Sequence, residues 1–82
     1  MNSALLHEEI TETLYSVPQV SKIIHTNPAY VRKLIKSGAL RAIRLGEVKV
    51  LASELKDFLE RNNGNDLTDP FNIVPLCKKQ DT

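Results

Sequence analysis

A chain of 82 residues with 11 basic and 10 acidic side chains, a formal net charge of +1 and a single cysteine has room for one small domain and none for an internal disulfide. The first residues carry no basic-plus-apolar leader, no apolar run approaches the roughly 20 residues that cross a bilayer, and no Cys/His set has zinc spacing. A soluble, cytoplasmic protein without cofactor or metal is expected, and the lack of paired carboxylates, a phosphate loop or a nucleophile-base pair sets catalysis aside.

The small net charge hides a strong division along the chain. Between residues 22 and 49 seven cations (Lys22, Arg32, Lys33, Lys36, Arg41, Arg44, Lys49) stand against one acid, Glu47, giving +6, and the remainder carries −5. A basic segment between acidic ones points to a polyanion held at one surface.

In chain order, residues 1–14 form an N-terminal segment in which Ser3 is a candidate cap. Leu5, Leu6 and Ile10 among His7, Glu8, Glu9 and Glu12 give about two turns of amphipathic helix. Residues 15–63 carry the main signals. Ser16 caps a first helix with Pro18 in its opening turn and Val17, Val20, Ile23 and Ile24 on one stripe. His25, Thr26 and Asn27 then make a break of the length that separates the two helices of a helix-turn-helix.

The second helix has both ends written into it. Asn27 is the N-cap, Pro28 suits the first helical position, and Gly38 fits the left-handed residue after the last turn. At about 100° per residue, Val31, Leu34 and Ile35 fall on one stripe, while Ala29, Tyr30, Arg32, Lys33, Lys36 and Ser37 spread over the opposite arc.

After Gly38 the apolar period changes to alternation. Ile43, Leu45, Val48 and Val50 are predicted on one face of a two-stranded hairpin, Arg44 and Lys49 on the other, with Gly46-Glu47 at the tip and Arg41 at the base. Ser53 is the predicted cap of a third helix whose Leu55, Phe58 and Leu59 brace the core. Residues 64–82 read as an extended tail whose Phe71, Ile73, Val74 and Leu76 lie on the domain or meet a partner by strand addition. Cys77 has no activating neighbour.

Helix, tight turn, helix, hairpin, helix is the layout of a winged helix-turn-helix, mainly α with a small β-hairpin. Residues 14–60 resemble the helix-turn-helix domain of phage and transposon excisionases, related to the DNA-binding domain of MerR-type regulators. The resemblance rests on Tyr15-Ser16-Val17 with Val20, on Val31-Arg32-Lys33-Leu34-Ile35-Lys36-Ser37-Gly38, on Ile43-Arg44-Leu45-Gly46, and on Ser53-Glu54-Leu55 with Phe58-Leu59-Glu60. The chain departs from the pattern at the wing, where the tip is short and acidic and Leu51 or Ala52 stands where a proline is usual.

The resemblance implies double-stranded DNA as partner, with the second helix in the major groove and the wing along the backbone. The expected contacts are Asn27, Pro28, Ala29, Tyr30, Arg32, Lys33, Lys36, Arg41, Arg44 and Lys49. Lys33 and Tyr30 are expected at base edges, Arg32 or Lys36 on phosphates, and Ala29 near a thymine methyl. About four to six phosphate contacts give one module modest, salt-dependent affinity, so several copies are expected to associate on DNA, beside an integrase or recombinase. The implied role is a recombination directionality factor in a bacterial or phage, nucleoid-associated setting. The alternatives are a small phage transcriptional regulator and, from another class, a protein-interaction module using the apolar tail.

Overall fold

A computed structural model describes residues 12–76. Most of the N-terminal segment expected to be helical, and Cys77, lie outside the described residues. Three helices and a small antiparallel sheet make up the main body: β1 (Leu14–Ser16), α1 (Val17–Ile23), α2 (Pro28–Ser37), β2 (Ile43–Leu45), β3 (Glu47–Leu51) and α3 (Ala52–Arg61). A short hairpin of β4 (Asn65–Asp66) and β5 (Val74–Pro75) follows. Among the described residues no helix is long and apolar enough to cross a membrane.

Local chemistry sets the first two helices. The Ser16 hydroxyl accepts the Gln19 N–H at 3.2 Å while the Gln19 side-chain oxygen accepts the Ser16 N–H at 2.8 Å, a reciprocal capping box. The corner after α1 turns on His25, whose φ of +60° is unusual outside glycine though tolerated by His. Two backbone bonds close it: Thr26 N–H to the Ser21 carbonyl at 2.7 Å and His25 N–H to Lys22 at 3.3 Å. The Asn27 side-chain oxygen then accepts the Tyr30 N–H at 2.8 Å to open α2. Gly38, at φ +90°, ends it in the left-handed conformation. Beyond that turn the Leu40 N–H bonds to the Leu34 carbonyl at 3.1 Å, which folds Leu40 back under the helix.

The core gathers Val17 and Val20 from α1, Val31 and Leu34 from α2, Leu40 from the connection, Val50 from β3, and Leu55 and Phe58 from α3. Ile23 and Leu59, expected inside, are 43% and 46% exposed. They sit at the margins of their stripes and edge a shared hollow with Tyr15 and Leu55.

The wing corrects the sequence reading twice. It is not a lone hairpin but a three-stranded sheet ordered β1-β3-β2, with Tyr15 opposite Val50 and Ser16 opposite Lys49. Tyr15 had no alternating neighbours to mark it as a strand. Its register is also shifted. Leu45 pairs with Glu47, Arg44 with Val48 and Ile43 with Lys49, so Gly46 alone forms the tip, at φ +78°. A two-residue tip would have paired Arg44 with Lys49; a shift of one turns every side chain of β2 to the other face. Directly paired residues share a face, so Tyr15, Arg44, Val48 and Val50 face the helices while Leu14, Ile43, Leu45, Lys49 and Leu51 face outward.

Strand β3 runs straight into α3, which begins one residue before the predicted cap. Leu51 holds the N-cap position without a side-chain bond. The Glu12 carboxylate accepts the Ser53 N–H at 2.7 Å, and the Thr13 carbonyl accepts that of Ala52 at 2.8 Å. A carboxylate at the first turn suits the helix dipole, so residues 12 and 13 cap α3 in place of Ser53.

Glu54 ties α3 to the base of the wing. Its carboxylate accepts the Arg41 backbone N–H at 3.0 Å and the Arg61 guanidinium at 2.9 Å, and that guanidinium also donates to the Ala39 carbonyl at 3.0 Å. Partial burial by itself pushes the Glu54 carboxyl up, but the Arg41 N–H and the Arg61 guanidinium outweigh it and hold the group below the usual carboxylate range.

Candidate nucleic-acid interface

Capping at Asn27 and packing of Val31 and Leu34 fix the rotation of α2 about its axis. Ala29, Arg32, Lys33 and Lys36 are consequently exposed, and Pro28 and Tyr30 are half-buried. Because β2 is turned over, Arg44 projects on the helix side of the sheet. It joins Arg32 and Lys36 along a groove of about 430 Å³ between α2 and the wing, floored by Val17, Ile35 and Val48. Arg32 also borders an adjoining hollow of about 300 Å³ with Ser16, Pro18 and Glu47. Among the described residues, Arg32, Lys33, Lys36 and Arg44 take part in no ion pair. Three like charges around a groove whose lining, among the described residues, includes no acid, with Glu47 in the adjoining hollow, are an arrangement suited to a polyanion.

The structure separates the other predicted contacts from that groove. Lys49 is on the outward face, 3.6 Å from the Glu47 carboxylate. Arg41 lines a different hollow, of about 550 Å³, with Ile43, Leu51 and Glu54, and its N–H is committed to Glu54. Glu47 borders the adjoining hollow on the side of Arg32.

Tyr30 departs furthest from expectation. It packs against the core, and its hydroxyl donates to the Leu67 carbonyl, 37 residues on. Burial, then the neighbouring Asp66 carboxylate, pushes its phenol up. The phenol clasps the segment after α3, where Leu67 packs on the core, against the first turn of α2, in place of the free hydroxyl that contact with a base edge would use. Ser16 and Pro18 border the hollow adjoining the basic groove, although in the sequence they mark only the start of α1. Nothing in their spacing marks them, because the sheet register brings the wing to them.

The sequence pattern of the helix-turn-helix domain family matches residues 14–63, more than half of the 82-residue chain. The chain belongs to the helix-turn-helix domain family. Comparison with curated proteins and with solved structures gave no match. In this helix-turn-helix protein the matched span opens at β1 and closes just after α3, so the third strand lies inside the family's unit and the β4–β5 hairpin outside it. Membership in the helix-turn-helix family implies DNA as the partner.

The Tyr30 clasp is testable in this setting. Tyr30→Phe removes one hydroxyl and is expected to cost about 1 kcal/mol, to speed amide exchange over residues 64–76, and to leave base preference on DNA as in the wild type. A changed base preference in a binding-site selection would show that the tyrosine reads DNA after all.

Proposed function

We propose that the protein is a sequence-specific DNA-binding protein of mobile-element type, an excisionase-like recombination directionality factor that acts in several copies. The observation that carries the reading is the trio Arg32, Lys36 and Arg44, in no ion pair among the described residues, at the groove between α2 and the wing. In this reading the trio straddles one strand of the backbone, Lys33 at the centre of the exposed arc meets base edges, and Ala29 allows close approach. Asn27 and Pro28 bring the start of α2 to a phosphate.

A single module with so few phosphate contacts binds modestly and loses affinity steeply with salt. Function therefore calls for adjacent copies on repeated sites, with a recombinase as neighbour. The resemblance of residues 14–60 to excisionase domains supports that role, and a small transcriptional regulator is the alternative that footprinting separates from it.

DNA footprinting tests it. Protection of short direct repeats next to recombinase core sites, growing cooperatively with protein concentration, is the expected result. A single protected site at a promoter, occupied by one copy at nanomolar strength in physiological salt, would instead make the protein a transcriptional regulator. No protection of any DNA would leave the interaction-module reading.

A further inference from the structure

Besides the basic groove, α1, β1 and α3 leave an open hollow of about 270 Å³. Tyr15, Ile23, Leu55 and Leu59 line it together with Ala52 and two charged residues, Lys56 and Glu60, and none of these lines the groove of Arg32, Lys36 and Arg44. Ile23 and Leu59 are among the exposed large apolar side chains, although their places on the stripes of α1 and α3 are those of packing residues.

The chain itself brings an occupant to this hollow. Residues 1–11 precede the described residues, which start at Glu12. Both Glu12 and Thr13 are fastened to the first turn of α3: the Glu12 carboxylate accepts the Ser53 N–H at 2.7 Å and the Thr13 carbonyl accepts the Ala52 N–H at 2.8 Å. Ala52 lines the hollow, so the segment arrives at its edge. Its length suffices, since at about 1.5 Å per helical residue residues 1–11 cover about 16 Å, against about 10 Å from Ala52 to Leu59.

Direction and pattern fit as well. A segment that runs toward the start of α3 meets that helix antiparallel, which sets Ile10 beside Leu55 and Leu6 beside Leu59, with the same spacing of four in both pairs. The same alignment puts Glu9 opposite Lys56, which takes part in no ion pair among the described residues, and puts no acid of the segment opposite Glu60. The other hollow near this entry point, beside Arg41, holds two acids, Glu54 and Asp57, and fewer apolar walls, so it suits an acidic, leucine-bearing segment less.

We infer that residues 1–11 are the occupant of this hollow, laid antiparallel along α3 of the same chain with Ile10 beside Leu55, Leu6 beside Leu59 and Glu9 opposite Lys56. A segment so placed bridges α1 and α3 and leaves the basic groove open. The inference does not depend on DNA binding, and it is measured without DNA.

Methyl nuclear Overhauser spectra of the full chain are the first measurement. Contacts from Leu6 and Ile10 to Leu55, Leu59 and Ile23 are expected, and they are expected to be absent from the isotope-filtered spectrum of a mixture of labelled and unlabelled chains. Amide exchange over residues 5–11 is expected to be at least about tenfold slower than in an unstructured peptide. Leu59→Glu should abolish that slowing while the amides of Val20, Val31 and Leu34 stay protected, and Ile10→Glu, on the segment itself, should do the same even if Leu59→Glu unfolds the domain. Four results would overturn the inference: no contact between the segment and the hollow, contacts to Ile43 or Leu45 of the sheet instead, contacts that appear in the filtered mixture and so make a second copy the occupant, or slowed exchange that survives Ile10→Glu.

Discussion

Replacing Arg32, Lys36 and Arg44 together by alanine is expected to lower affinity for duplex DNA by roughly three orders of magnitude. Each charge-assisted bond to a phosphate is worth about 1.5 kcal/mol or somewhat more, and three are lost. The salt dependence is the sharper readout. The slope of log affinity against log salt falls by about 0.9 for each phosphate contact removed, so the triple variant should lose between about 2 and 3 from it. None of the three side chains belongs to the buried core, so the fold should survive.

Lys33→Ala provides the contrast. Lys33 is exposed at the middle of the recognition arc and lies outside the groove. Its loss is expected to cost about 1–3 kcal/mol on the preferred sequence, with little change on random DNA. Fluorescence anisotropy with specific and random duplexes over a salt series separates the two effects. Equal loss on both duplexes for every variant would show that α2 grips DNA without reading it.

The largest effect on stability is expected from Leu40→Ala. Leu40 is fully buried between α2 and the sheet, and truncation of such a leucine costs about 2–5 kcal/mol. A domain of this size has a total stability on the order of 5 kcal/mol, so urea melts at 25 °C should show a protein close to its unfolding midpoint. Leu45→Ala in dilute solution should cost less than about 1 kcal/mol, because Leu45 is 58% exposed. Alternation in the sequence predicts a large loss for Leu45, and register predicts a small one. A Leu45→Ala variant as unstable as Leu40→Ala would refute the register.

The comparison of Leu40 with Leu45 shows where the sequence stops being legible. Leu40 follows a glycine turn and belongs to no periodic run, so nothing local announces that it is buried. It becomes core because Gly38 adopts a left-handed φ and the chain doubles back to the Leu34 carbonyl. Leu45 does belong to an alternating run, yet the run does not say how many residues form the tip, and one residue more or less reverses the face.

The candidate interface divides along the same line. Helix α2 is readable in the sequence: Asn27, Pro28 and Gly38 mark its ends, and Val31 with Leu34 fixes which side is buried, so Ala29, Arg32, Lys33 and Lys36 follow as the exposed arc. The hydroxyl of Tyr30 is engaged by a carbonyl 37 residues away, a contact that no local pattern records. The pairing of Arg44 with α2, and the departure of Lys49 and Arg41 to other surfaces, came from the sheet.

By itself, then, the sequence determined what short-range chemistry can determine: the helix ends, the helix-turn-helix spacing, the basic middle segment and the cationic arc of α2, all set by caps, turns and a 3.6-residue period within a few neighbours. Only the tertiary structure decided which face β2 presents, that β1 adds a third strand, that Glu12 caps α3, and that Tyr30 holds the segment after α3. Each of these depends on a pairing between residues distant in the chain, where the free energy comes from burial and from satisfying backbone groups rather than from local preference.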